Sequence, residues 1–400
     1  VLSADLRHLV AAAAREAGFP GHRPDVGLRD GGAPGRYSCS LPLRLAANPA
    51  EVAATMATHL RAAGWIEDAE PTGHGYLTIT VTPERLTETA VRVTEAGPGC
   101  ARSDALAGTS RPAPPAACLT AARSWPEARD LVVAQVTARL AAAAGATVAA
   151  HNPAERPPAS ADSAARTGPL AEAMGAGPVS RALWAGPGPV ADAERPPASA
   201  DPAARTGPPA EVMGTGPVAD AVAFAGCDAI TYTLARIPAE RPAALDPAAC
   251  ARHVPANPAY AVRYAHSCAA STLRWAAALG LSRGEAAVVR PGSLAHPRER
   301  AVLAALSWLP EQVARAARRG RPHEFAAFLE ELAETYQVCR LSCPAWPERE
   351  HDGAERDGPR REGLPGDDRT VRARLWLAGA AAVGLATGLE LLGVGAPERL

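Results

Sequence analysis

Arg315, Arg318, Arg319 and Arg321 put four guanidiniums within one short stretch beside Pro322, the densest basic cluster in the C-terminal part of the chain. Guanidiniums grouped in this way can hold phosphates and release counterions as they do so. The competing reading is a solvated charged face. All 41 basic residues are arginine, so no chemistry that needs an ammonium can operate in this chain. The eight cysteines, Cys39, Cys100, Cys118, Cys227, Cys250, Cys268, Cys339 and Cys343, include no Cys-x-x-Cys pair and no Cys/His grouping at zinc spacing. They read as free thiols of a cytoplasmic protein, with no metal and no cofactor. A net charge of −1 exerts no global pull on nucleic acid, so any basic surface must be local. Residues 226–343 carry 14 Arg against 10 Asp and Glu, an excess that permits an RNA partner without requiring one.

The elements that must position these groups are mostly helical. Alanine dominates a 47% hydrophobic fraction and aromatics make up 4%, which predicts thinly filled helical cores. Residues 1–95 read as a small α+β domain. Leu6, Leu9 and Val10 start one amphipathic helix, Val52, Met56, His59 and Leu60 share a face of another, and Tyr76–Thr82 alternates as a half-buried strand does. Residues 96–123 are turn-rich and read as loose. A helix from about Pro126 to Ala144 follows, with Leu131, Val132, Gln135, Val136 and Leu140 inward and Gly145 as its stop.

Residues 150–222 differ in kind. Ala154–Val179 recurs almost unchanged as Ala193–Val218, an offset of 39 residues. The copies are dense in Pro and Gly and lack an apolar face to stack, so they predict a duplicated disordered linker and not a solenoid. From 223 to 400 the chain is helical again, with strong patterns over Tyr260–Leu279, Val302–Leu309, Phe325–Leu341 and Leu375–Leu392. Short helices with short connections predict a bundle. Leu375–Leu389 is uncharged but shorter than a membrane span, so a buried helix and no membrane anchor are expected. The first residues carry no apolar core of a signal peptide.

Several ordered motifs in this last part resemble the anticodon-binding domain of arginyl-tRNA synthetases, the helical bundle named for its Asp-Ala-Leu-Arg signature. Asp228-Ala229-Ile230-Thr231-Tyr232 stands where that signature opens. Asn257-Pro258-Ala259-Tyr260-Ala261-Val262-Arg263-Tyr264-Ala265-His266 is similar to the Asn-Pro-x-Tyr-x-Val-x-Tyr-Ala-His helix start. Pro322-His323-Glu324-Phe325 and the run Gly388–Leu400 continue the resemblance. Gly35-Arg36-Tyr37-Ser38 and Gly73-His74-Gly75-Tyr76-Leu77-Thr78 resemble the same family's N-terminal additional domain, which holds the tRNA elbow. Residues 96–149 look like the remnant of the start of its catalytic domain. The position of the His-x-Gly-His signature falls on Ser124-Trp125-Pro126-Glu127, and a Lys-Met-Ser-Lys-Ser loop cannot exist without lysine.

The resemblance implies a mostly α fold: a small α+β N-terminal domain, a disordered Pro/Gly/Ala-rich linker and a C-terminal helical bundle of the class I synthetase anticodon-binding type. It implies a tRNA partner, tRNA(Arg) foremost, with Tyr37, Tyr260, Tyr264 and His266 as contacts beside Arg315, Arg318, Arg319 and Arg321. Cys268, where an arginine is usual, and Arg340, where an aromatic is expected, depart from the pattern. The missing signatures imply a protein that is not an enzyme and binds tRNA without charging it, its two ends gripping one tRNA across the flexible tether. The alternatives are an active arginine–tRNA ligase, a tRNA-binding arm serving a separate enzyme that uses aminoacyl-tRNA, and a bundle that has drifted to bind protein.

Overall fold

The computed structural model describes residues 2–19, 26–45, 48–73, 75–149, 216–290, 292–345 and 369–400. Nearly all of the duplicated stretch therefore lies outside the described residues. Its last few positions do not: Pro217–Ala225 is helical, so the bundle begins inside the segment expected to be linker.

In chain order the N-terminal part contains α1 (Leu2–Glu16), β1 (Leu28–Asp30), β2 (Arg36–Cys39), α2 (Pro42–Leu45), α3 (Pro49–Arg61), β3 (Ile66–Thr72), β4 (Tyr76–Val81) and α4 (Pro83–Ala96). The strands form one antiparallel sheet in the order β1-β2-β4-β3. The period-two pattern of β4 is realised: Leu77, Ile79 and Val81 are buried while Tyr76, Thr78 and Thr80 are at least partly exposed. Met56 and Leu60 of α3 and Leu6 and Val10 of α1 supply buried side chains from the helices.

The middle segment is ordered where a loose stretch was expected. β5 (Ser110–Pro112) pairs in parallel with β6 (Thr147–Ala149), and α5 (Trp125–Ala143) crosses between them. Ser124-Trp125-Pro126-Glu127 serves as the helix start: the Ser124 hydroxyl accepts the Glu127 N–H at 3.4 Å, and the Glu127 carboxylate accepts the Arg123 N–H at 2.8 Å. Cys100 and Ala101, in a 3-10 turn just after α4, are fully buried.

The C-terminal part consists of α6 (Pro217–Ala225), α7 (Cys227–Arg236), α8 (Pro247–Cys250), α9 (Pro258–Ala278), α10 (Pro297–Ser307), α11 (Leu309–Arg319), α12 (Pro322–Ser342) and α13 (Arg369–Leu392). Proline occupies the first turn of each helix from α6 to α12, where its missing N–H costs nothing, with α7 the exception. On α12, Phe325, Leu329, Leu332, Tyr336 and Cys339 form one buried stripe at helical spacing. α13 is long and apolar enough to cross a membrane by length and composition, but most of it is buried against α4, α9, α10 and α12. It is a core helix. A Cβ at Gly388 would meet one Leu329 methyl group at 2.3 Å and the other at 3.0 Å, so glycine there suits the close approach of α13 to α12.

Residues 1–151 and 213–400 make one compact unit with a continuous hydrophobic core running from Leu2 to Val394. α4 packs on α10 and α13, and α1 on α11. The two ends of the chain therefore touch directly, which corrects the expectation that only a tether joins them.

Candidate nucleic-acid interface

The start of α9 is built by its cap. The Asn257 side chain accepts the Ala259 N–H at 3.1 Å and donates to the carbonyl oxygens of Cys250 and Arg252, both at 2.8 Å. One buried amide thus ends the preceding loop and begins the helix. Tyr260 and Tyr264, four residues apart, lie on one face, and their rings stack with centroids 5.6 Å apart and planes 14° from parallel. Folded back by Asn257, the loop brings a third ring into line. His253 stacks on Tyr260 at 5.3 Å and 14°. Sequence periodicity does not reveal His253, because it lies before the helix; the Asn-Pro cap is the signal that could have located it.

Tyr264 is 41% exposed, whereas Tyr260 is half-buried between its two ring neighbours. The Tyr264 phenol is pushed above its ordinary pKa, chiefly by a hydrogen bond with the Cys268 side chain, so it stays neutral near pH 7. The Arg340 guanidinium lies close enough to counteract part of that shift. It also donates from Nε to Gln337 Oε1 at 3.1 Å. The two departures noted in the sequence are therefore neighbours, with Cys268 on α9 beside an arginine supplied by α12.

His266 faces another way. It is buried, with Nδ1 3.0 Å from the Pro397 carbonyl oxygen, which also accepts the Ser267 hydroxyl at 2.7 Å. Since the carbonyl can only accept, Nδ1 carries the proton. Burial lowers the pKa of His266, and the imidazole is neutral near pH 7. Its observed work is to hold the segment after α13 against α9, with Arg274 and Glu398 3.6 Å apart nearby.

The arginine cluster occupies the C-terminal end of α11, which closes at Gly320 in the left-handed region with φ +63. All four guanidiniums are exposed, but they are not bare. Arg315, Arg319 and Arg321 converge on Glu324 at 3.4, 3.1 and 3.5 Å, and Arg321 lies 3.8 Å from Glu240. A fifth arginine, unseen in the sequence, joins them. Arg111 of β5 donates to the carbonyl oxygens of Ala317 and Arg318 at 3.2 and 3.4 Å. Three guanidiniums thus share the Glu324 carboxylate at a helix end on the surface.

Tyr37 is not at this surface. It is 1% exposed, its hydroxyl pairs with the Ser307 hydroxyl at 2.8 Å, and its ring lies 5.1 Å from that of Trp308. Burial raises its pKa strongly, so the phenol stays protonated. The ring docks the N-terminal sheet onto α10 and leaves no face for a base, which corrects its expected role as an RNA contact. Close by, Arg7 is equally buried and pairs with Asp104 and, at 2.7 Å, with Glu311, pinning α1 to the first turn of α11.

Residues 262–356 match the family model described as the DALR anticodon binding domain. The chain is 37% identical to the arginine–tRNA ligase of Paenarthrobacter aurescens over 181 residues, which is 45% of this chain and 30% of that protein. It is 38% identical to the Micrococcus luteus enzyme over 182 residues and 40% identical to that of Frankia alni over 182, with the same coverage. In each case the chain spans about 30% of the relative's length. The structure of Thermus thermophilus arginyl-tRNA synthetase matches over the whole of both chains at a TM-score of 0.60 and 16% identity, a likeness of fold. The fold is thus arginyl-tRNA synthetase-like and mostly helical, and residues 262–356 in its C-terminal part match the DALR anticodon-binding domain. One expectation is overturned. The relatives are named arginine–tRNA ligases, which are enzymes, and similarity to 30% of their length gives no support to the reading that this chain is not one.

Proposed function

We propose that this protein binds tRNA through its helical bundle, holding unpaired bases of the anticodon loop on the rings at the start of α9. Phosphates of the same arm lie on the arginines at the end of α11. The ring stack of Tyr264 and Tyr260 on a preorganised helix start is the observation that carries this reading. Unpaired bases stack on aromatic side chains at about 1–3 kcal/mol each, which suits a single-stranded loop and does not suit a duplex. Arg340 beside Tyr264 supplies a charge for the backbone between stacked bases. The relatives' names point to tRNA(Arg) as the preferred ligand. Tyr260 acts mainly by supporting Tyr264, since its own faces are taken by other rings, and His266 acts through the segment it anchors. Sequencing the RNA that copurifies with the full-length protein tests this directly. Strong enrichment of tRNA, with tRNA(Arg) foremost, is the expected result. RNA in proportion to its cellular abundance would refute it.

A further inference from the structure

We propose that His253 is a third base-contacting ring, so that the site engages unpaired RNA at both ends of a ring ladder. The inference rests on the tRNA-binding reading above and adds to it a residue and a geometry. The three rings succeed one another in steps of 5.3 and 5.6 Å with the same 14° tilt at each step. These are offset stacks, in which each ring covers part of the next. Tyr260, in the middle, is covered from both sides. The two terminal rings, His253 and Tyr264, are the exposed ones, so the ends of the ladder are where a base would continue the stack.

The ladder is constructed and not accidental. His253 lies outside α9 in a loop that would not by itself fix the ring. The Asn257 amide holds that loop by donating to the carbonyl oxygens of Cys250 and Arg252, just before His253, while its oxygen caps the helix that carries Tyr260. The loop and helix halves of the ladder are thus referenced to one buried side chain. A ligand for such a site presents two bases splayed apart, one for each end. A single-stranded loop can do this, and a continuously stacked helix cannot. An imidazole at one end also differs chemically from a phenol at the other: its ring nitrogens can donate to and accept from a base edge. Arg252, exposed and next in sequence, places a guanidinium where the strand would enter.

The test is the affinity of full-length protein for a tRNA(Arg) transcript at fixed pH and salt, with three variants. Tyr264→Ala reports on the underlying reading. His253→Ala should weaken binding about fivefold or more, the loss expected of one stacked base, and His253→Phe should recover most of it. The slope of affinity against salt should stay unchanged in both His253 variants, since a stacking ring releases no counterion. His253→Ala binding within about twofold of wild type, with Tyr264→Ala weakened, would overturn the proposal and leave the tRNA reading intact. A Phe variant as weak as the Ala variant would overturn the stacking role. Full affinity in all three variants would remove the tRNA reading itself.

Discussion

Tyr264 and His266 lie two residues apart on α9 and their environments divide their tasks. Tyr264 turns to solvent beside Arg340, while His266 is buried under the Pro397 carbonyl. Replacing Tyr264 by Ala should cost about 1–3 kcal/mol of tRNA affinity, read as a change in Kd, with an unchanged melting temperature because the ring is exposed. His266 predicts the opposite pairing of effects. Its folded pKa lies below the unfolded value of about 6.5, so the stability it contributes is present above that pH and is lost as pH falls through the lower folded value. Protection factors of the backbone amides in Val394–Arg399, corrected for the intrinsic exchange rate at each pH, should therefore fall on acidification below about pH 6.5, and a His266→Gln variant should show no such step. The Asn-Pro-x-Tyr motif made the tyrosines and the cap legible in the sequence. It did not reveal that His266 points inward, because the same spacing suits an inner or an outer face. Nor did it reveal His253, whose position depends on a loop folding back.

At the scale of elements, α11 is the best-defined lever. Arg7 pins its first turn through Glu311, and Arg111 caps its last carbonyls. Arg7→Met would remove the buried guanidinium that Asp104 and Glu311 share. The loss should be about 3 kcal/mol, the low end for a broken buried pair, because Asp104 reaches solvent. Denaturant titration would measure it, and a loss below about 1 kcal/mol would mean the pair is not structural. The surface end of α11 predicts a different signature. Arg318→Ala and Arg319→Ala should each lower the salt slope of tRNA binding by about 1 while weakening all RNAs to a similar degree. An unchanged slope would assign these arginines to a solvated face. Helix starts were readable because proline marks them, and β4 because it alternates. β5 and β6 were not, since three-residue strands carry no period and are defined only by pairing across α5.

For the whole molecule, the decisive feature is the shared core of residues 1–151 and 213–400. Periodicity had marked the core faces of both ends but could not tell that Tyr37 and Ser307 pair across 270 positions of sequence, with Trp308 against the Tyr37 ring, since a pattern names the buried face and not its partner. Heat unfolding should accordingly follow one transition, with tryptophan fluorescence and helical circular dichroism superimposed. Two separated transitions would restore independently folding ends. The shared core also carries the ring ladder and the α11 arginines on one compact unit, so a single RNA arm should meet both. Nuclease footprinting of a tRNA(Arg) transcript by the full-length protein tests that claim most directly. Protection is predicted over the unpaired nucleotides of the anticodon loop and the adjoining stem phosphates, with the loop protection lost in Tyr264→Ala. An anticodon loop cleaved equally with and without saturating protein would contradict it.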